Sequence, residues 1–356
     1  MLRNKLEQLL SNLPIINDKK IFIWGTGNTA LLYQQGLERL EDEGFFVEAY
    51  VDSDSQKWGK KFAGKNIISP DEVNNDGNIV LICSPQPKVV RSIFEQMESM
   101  LVDCFHIDEL IFKLHKKDIL KVFDSLSDEK SQEVYYRVIE ARISGRYPDE
   151  KVYEQSQYFS IPQFLHRNVN DIFVDCGAYV GDSIEHFLWH RDGVFKKIIA
   201  FEPDKGNFSA MKKRIGRLIE EWNIREENIN LYNCALGNEN SIKSIESYAD
   251  NNGLGSKLVD AVESQDVCQV VTIDETIQEP ITFLKADIES YEYKMLEGAK
   301  DSIAKWKPLL AICIYHNAID MYSIPIRLKE MVPEYKFAIR HHSYQLDETV
   351  LYAWVE

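Results

Sequence analysis

The sequence lacks closely spaced cysteines, long apolar runs and enough cations to balance its acids. Its 6 cysteines, Cys83, Cys104, Cys176, Cys234, Cys268 and Cys313, include no C-x-x-C pair. Several lie in apolar runs that read as strands, such as Val80 to Cys83 and Leu309 to Ile314. Buried free thiols in a reducing compartment are expected. No stretch approaches the roughly 20 apolar residues that span a bilayer. Met1 to Ile16 is amphipathic, with Arg3, Lys5 and Glu7, and lacks the apolar run and cleavage site of a signal peptide. A cytoplasmic protein with no transmembrane segment is expected. Lys and Arg number 41 against 57 Asp and Glu, a net charge of −16. Such a surface repels phosphate backbones and anionic lipids, which argues against nucleic acid as a partner.

What is present suits two domains. The chain has 356 residues, 44% of them hydrophobic, more than one ordinary core organises. Two separate strand–glycine turn–helix signals occur. The first runs from Ile21-Phe-Ile-Trp24 through Gly25-Thr-Gly-Asn28 into a helix from Thr29 to about Glu43. Strands follow at Phe46 to Val51 and Ile79 to Cys83, then a helix at about Pro87 to Met100 and a candidate fourth strand at Cys104 to Ile107. From Leu110 to Phe164 the pattern is helical and charged. Asp128 opens a long helix that Gly145 and Pro148 stop.

The second signal starts at Asp171. Strands are expected at Ile172 to Asp175, Lys197 to Phe201, Ile229 to Cys234, Gln269 to Ile273, Ile281 to Ala286 and Leu309 to Tyr315. Helices are expected at Ser183 to Trp189, Asn207 to Trp222 and Tyr291 to Ile303. Two β-like runs, Lys336 to Arg340 and Thr349 to Val355, end the chain. Alternating strands and helices give an α/β fold with parallel sheets. The division expected is a Rossmann-like domain at 1–113, a helical connector at 114–165 and a second Rossmann-like domain at 166–356.

Gly25-x-Gly27-x-x-Ala30 sits between a strand and a helix, and Asp52 ends the next strand. Such glycines let backbone approach a phosphate at a helix N-terminus, and the acid can hold ribose hydroxyls. The same glycines also serve simply to turn tightly. Gly25, Gly27, Asn28 and Asp52 are therefore a candidate second nucleotide site, or an empty structural turn.

The second turn says more. In Asp175-Cys-Gly177-Ala178-Tyr179-Val-Gly181-Asp182-Ser183 an acid precedes the glycines. That suits a cationic, amine-bearing ligand better than a pyrophosphate. Glu202, followed by Pro203, ends the next strand, where a carboxylate takes ribose hydroxyls. Asn233, Ala235 and Leu236 end the third and frame a flat ring.

These blocks, with Val271-Thr-Ile-Asp274, Leu284-Lys-Ala-Asp-Ile-Glu289, Glu292 and Leu296-Glu-Gly-Ala299, resemble the FkbM family of methyltransferases that use S-adenosylmethionine (SAM). The resemblance covers about Val169 to Glu356. Ser290 departs from it, where the family usually has glycine, and so does Cys176, often alanine or isoleucine. The resemblance implies a class I methyltransferase sheet with a terminal antiparallel strand, SAM as cofactor and O-methylation of a sugar, polyketide or similar small molecule. Asp175, Gly177, Ala178, Tyr179, Gly181, Asp182, Ser183, Glu202, Pro203, Asn233, Ala235, Leu236 and Asp287 are the expected cofactor residues.

Methyl transfer needs the acceptor oxygen held against the methyl, helped by a base or a metal. Asp287 and Glu289 lie two apart at a strand end. They face opposite ways if the strand persists and both reach the cleft if it has ended. Glu289 with Ser290 also reads as a helix cap. His316 follows a strand and has the pKa range of a general base. Asp287, Glu289 and His316 are the catalytic candidates. Their spacing is not diagnostic of a metal, and none is assigned. His341 and His342 are weaker candidates. The loop from Asn251 to Lys257 suits a closing flap or a plain connection. The expected partner is a small-molecule or glycan acceptor, with the N-terminal domain recognising a nucleotide-linked acceptor or holding a homodimer. Rival readings are a nucleotide-sugar or NAD enzyme working at Gly25, and a SAM-binding module without catalysis. No Tyr-x-x-x-Lys pair suited to short-chain dehydrogenase chemistry lies in the 1–113 domain to support the NAD reading.

Overall fold

The computed structural model describes residues 1–12, 19–27, 30, 33–73, 77–247, 256–260 and 267–356. Asn28 and the loop residues 251–255 of the sequence reading lie outside that set. The N-terminal strands are β1 (Ile21–Trp24), β2 (Val47–Val51), β3 (Lys61–Phe62), β4 (Lys65–Ile68), β5 (Ile79–Ile82) and β6 (Asp103–His106), ordered β3-β4-β2-β1-β5-β6. All neighbours are parallel except β3 with β4. β1 and β5 are continuous apolar runs, buried at every residue, as central strands covered on both faces must be. The β3–β4 hairpin carries no apolar alternation, since Lys61, Lys65 and Asn66 are exposed, so the sequence does not signal it.

The later strands are β7 (Ile172–Cys176), β8 (Lys197–Phe201), β9 (Ile229–Tyr232), β10 (Ala235–Leu236), β11 (Ser241–Ser247), β12 (Ser256–Asp260), β13 (Val267–Val271), β14 (Phe283–Ala286), β15 (Leu309–Cys313), β16 (Lys336–His341) and β17 (Thr349–Trp354). Seven of them form one sheet, ordered β16-β17-β15-β14-β7-β8-β9. β17 runs antiparallel to β15 and β16, so the two tail strands make the expected ribbon. β10 to β13 form a separate four-stranded sheet. From β7 the chain first winds outward through β8 and β9, then returns to β14 on the other side. A crevice opens at the carboxyl ends of strands where the winding reverses.

The helical segment does more than connect. Helix Glu129–Ser144 starts where Asp128 accepts from Ser131 N at 2.7 Å and stops at Gly145, with φ +59°. Its Val134, Tyr135, Val138 and Ile139 share one apolar core with Ile23 and Leu81 of the first sheet and Ile312, Ile339 and Leu351 of the second. Tyr135 donates to Met321 O at 3.0 Å. A Cβ on Gly145 would lie 2.4 Å from Val90 Cγ1, so the helix end packs on helix Pro87–Ser99. Leu6 of helix Leu2–Leu9 enters the same core. A buried ion pair, Arg142 Nε to Asp108 Oδ2 at 2.8 Å, ties helix Glu129–Ser144 to helix Ile107–Leu114.

The single helix expected over Tyr291 to Ile303 is two, Glu292–Glu297 and Lys300–Trp306. The break falls at Gly298, where a Cβ would meet Gly237 O at 2.0 Å. Asp274 caps the second piece, accepting from Ser302 N at 2.8 Å and Asp301 N at 3.1 Å. Helix Asp320–Met331, absent from the sequence reading, covers the second sheet. Among the described residues, no helix is long and apolar enough to cross a membrane.

Candidate active site

A cavity of about 700 Å³ opens at the carboxyl ends of β7, β8, β14 and β15, within the range of roughly 300–1,000 Å³ usual for small-molecule sites. One end is built by the glycine turn after β7. Gly177 has φ +80°, and a Cβ there would fall 1.9 Å from Asp287 O, so only glycine fits. Gly177 N and Ala178 N donate to Phe201 O at 3.0 and 2.9 Å. The turn thereby lies against the end of β8, which presents Glu202. Both Glu202 oxygens accept backbone bonds at 2.9 Å, from Tyr179 N and Asp204 N. Burial pushes its pKa up to about 7 against those two bonds.

Gly177, Tyr179, Asp182, Ser183, Glu202, Pro203, Ala235, Leu236 and Asp287 line the cavity; Asp175, Ala178, Gly181 and Asn233 do not. The expected direct contact of Asp175 is corrected. Its carboxylate is fully buried, 3.0 Å from Lys285 Nζ, and accepts from Ser183 Oγ at 2.5 Å. Strand pairing sets Asp175 directly beside Lys285. Lys285 in turn donates to Gly177 O at 2.7 Å, so Asp175 supports the turn from behind. Burial would lower the Lys285 pKa, but Asp175 and Asp287 outweigh it and raise it. Ala178 is fully buried. Gly181, with φ +83°, begins helix Asp182–Arg191 and packs toward Met211. Asn233 braces the Glu202 turn, donating to Glu202 O and Pro203 O at 2.9 and 3.0 Å.

At the other end β14 stops at Ala286, so Asp287 and Glu289 both reach the cavity. Glu289 and Ser290 have φ +54° and +74°. Glu289 is not the helix cap: helix Glu292–Glu297 starts without a side-chain cap, and Ile288 N donates to Glu292 Oε1 at 2.8 Å. His316 Nδ1 lies 3.1 Å from Glu292 Oε1, and its Nε2 lies 3.4 Å from Asp287 Oδ1 and 3.7 Å from Glu289 Oε2. Burial alone would lower the His316 pKa; Glu292, Glu289 and Asp287 outweigh it and hold it well above the ordinary value. Carboxylates that favour the imidazolium in this way oppose the free-base role expected of His316. His341 and His342 are engaged elsewhere, with Thr349 Oγ1 at 2.8 Å and Tyr352 OH at 2.9 Å.

Several lining residues escape the sequence reading. Tyr158 OH donates to Asp287 Oδ2 at 3.0 Å, and Tyr315 OH to Asp287 Oδ1 at 3.3 Å. Burial and Asp287 keep both phenols protonated. Glu348, in the turn before β17, receives a hydrogen bond from Gln157 Nε2. Burial, with Asp287 and Asp347 nearby, pushes its pKa up to about 7. Its positive φ of +59° is a signal visible only in three dimensions. Tyr33, Pro85 and Gln86 of the N-terminal domain, and Arg142 and Tyr147, also line the cavity.

The first glycine turn is arranged differently. Gly25, Gly27 and Asp52 do not line this cavity. A Cβ on Gly25 would lie 2.9 Å from Cys83 O, which by itself requires glycine. Asp52 accepts from Thr26 Oγ1, from Lys57 Nζ at 2.8 Å and from Asp54 N at 2.8 Å. Its carboxylate already serves its own loop.

Asp182, Glu202, Asp287, Glu289, Asp347 and Glu348 bring carboxylates to the cavity wall, against the cations Arg142, Lys285 and His316. Arg142 and Lys285 are paired with Asp108 and Asp175. Asp182 and Glu185 stand in the first turn of helix Asp182–Arg191, where a pyrophosphate would bind. The wall suits cationic and neutral ligands.

The sheet order, the terminal antiparallel strand and the acid-rich crevice define a class I methyltransferase fold. Residues 175–345 match the family model described as methyltransferase FkbM domain, and residues 17–122 match the one described as C2185-like, N-terminal. Residues 175–345 thus carry a methyltransferase FkbM domain. The crystal structure of methyltransferase FkbM from Methylobacillus flagellatus KT is similar over 99% of this chain and 97% of that one, with a TM-score of 0.58 at 21% identity; the shared fold thus includes the N-terminal domain. An rRNA methylase structure from Streptococcus thermophilus covers 57% of this chain and 99% of its own, with a TM-score of 0.36 at 14% identity. No curated protein matches.

Proposed function

We propose that this chain transfers a methyl group from SAM to a hydroxyl of a neutral, polyhydroxylated small molecule, such as a sugar or glycan precursor. The observation that carries this reading is one cavity joining the Gly177–Glu202 wall to the Asp287 cluster. The residues present fit SAM. Glu202 offers a buried carboxylate to paired hydroxyls, Gly177 keeps the wall low, and Ala235 and Leu236 give an apolar face. The acidic wall favours a ligand with a sulfonium and an amine. When bound, SAM supplies an electrophilic methyl.

The chain's own groups hold the acceptor. Tyr158 and Tyr315 fix the Asp287 carboxylate by two hydrogen bonds, and Asp287 orients a hydroxyl at the cavity wall. Glu348, with a pKa near 7, takes the proton the hydroxyl loses; a base is most effective when its pKa is near the working pH. Most of the acceleration comes from holding the oxygen in line at contact distance. The acidic wall disfavours nucleotide-linked and other polyanionic acceptors. Tyr33 and Gln86 place the N-terminal domain at the edge of this end, where it shapes acceptor choice.

The test is transfer of labelled methyl from SAM to a panel of sugars and extracted metabolites, followed by mass spectrometry. A new methyl ether on a neutral polyol is expected. Label on amines or on nucleotides only, or none with protein that binds SAM, would overturn the reading.

A further inference from the structure

We infer that the acceptor end is a divalent-cation site, with His316 Nε2 and the Asp287 carboxylate as ligands and Glu289 closing the open side. The inference takes its purpose from the hydroxyl-methylation reading; its geometry is independent of it. His316 is 9% exposed; its Nδ1 faces Glu292 Oε1 at 3.1 Å, and its Nε2 has no hydrogen-bond partner. A buried ring nitrogen without one calls for a further ligand. Its Nε2 is aimed at Asp287 Oδ1, 3.4 Å away, and Glu289 Oε2, 3.7 Å away. Adjacent ligands around a small divalent ion at about 2.0–2.2 Å lie roughly 3.0–3.5 Å apart, so His316 Nε2 and Asp287 Oδ1 already stand at ligand spacing, and Glu289 joins them by a side-chain movement.

Glu292 stands behind. It is fully buried, its Oε1 is 3.1 Å from His316 Nδ1, and Ile288 N holds that oxygen at 2.8 Å. A carboxylate that fixes the far nitrogen of a ligating histidine is the usual support in metal sites. Ligand atoms of Asp287, Glu292 and His316 all lie within 4.8 Å of one another.

The charge balance points the same way. Asp287, Glu289 and Glu292 face His316, and the nearby cations Lys285 and Arg142 are already paired with Asp175 and Asp108. A dication offsets the excess negative charge in a poorly hydrated place. Ligation releases the imidazole proton to solvent. One nitrogen with several carboxylate oxygens suits Mn²⁺, Mg²⁺ or Zn²⁺. An acceptor hydroxyl on the ion becomes more acidic, with Glu348 beside Asp287 to receive its proton.

Mn²⁺ alone is the probe. The full chain, stripped with EDTA, is titrated with Mn²⁺ by calorimetry and by the electron paramagnetic resonance of the free ion, with and without SAM. One ion per chain is expected. His316→Gln should weaken it at least about tenfold, and Glu289→Gln, at a partly exposed position, should weaken it several-fold. Melting curves and SAM titration report whether each variant is folded. Lost Mn²⁺ binding with retained SAM binding supports the site. A wild-type chain that binds SAM but no Mn²⁺, or folded variants that bind Mn²⁺ as wild type does, overturns it and leaves the methylation reading standing. A chain that binds Mn²⁺ at these residues but not SAM keeps the site and overturns that reading instead.

Discussion

Gly177 and Asp287 touch so closely that a Cβ on the glycine would sit 1.9 Å from the aspartate carbonyl oxygen. This contact joins the cofactor wall to the acceptor cluster. Gly177→Ala adds that clash to a φ of +80°. It should cost about 2–4 kcal/mol of stability and weaken SAM binding at least tenfold. Thermal melting and calorimetry check both. An alanine variant that binds SAM as wild type does would show that the turn does not set the site.

Glu202 predicts a pH dependence. Its pKa in the folded chain, about 7, lies above the ordinary 4.5. A carboxyl raised in this way favours the folded state at low pH, and that contribution is lost as pH rises through about 7. The ligand-free chain should melt lower at pH 8 than at pH 6. SAM affinity should run the other way, because ionised Glu202 accepts hydroxyl hydrogen bonds. Glu202→Gln should bind SAM weakly and flatten both profiles. Parallel profiles in wild type and variant would remove Glu202 from the cofactor site.

Glu348 predicts a kinetic profile. If it receives the proton, kcat should rise with pH through about 7, as the raised carboxyl ionises. Glu348→Gln should lower kcat by 10²- to 10⁴-fold, a range usual for a lost general base, and remove that limb. Stopped or continuous transfer assays from pH 5.5 to 8.5 measure it. A variant with the wild-type limb assigns the proton to another group.

Lys285 and Asp175 form a buried pair at 3.0 Å. Lys285→Met strands the Asp175 carboxylate and should cost about 3–5 kcal/mol. Adding Asp175→Asn should restore part of that loss, as a double-mutant cycle by denaturant melts would reveal. Additive losses would mean the pair does not couple.

Much of this arrangement was legible in the sequence. The runs at β7, β8, β14 and β15 are apolar and bounded by turn residues, so strand ends, and with them Glu202, Asp287 and His316, could be placed. The Asp175 role could not, because it depends on Lys285 lying beside it across two strands more than a hundred residues apart. Tyr158 and Glu348 join Asp287 from segments with no local motif. The family departure at Ser290 gains a physical meaning only from its φ of +74°, a conformation glycine adopts freely. Ser290→Gly should therefore raise stability by about 0.5–1 kcal/mol.

The most direct test of the account is calorimetric titration of the folded full-length chain with SAM, beside Glu202→Ala. The account predicts one SAM per chain and at least tenfold weaker binding by the variant. No binding by the folded wild-type chain, or equal binding by both, would contradict it.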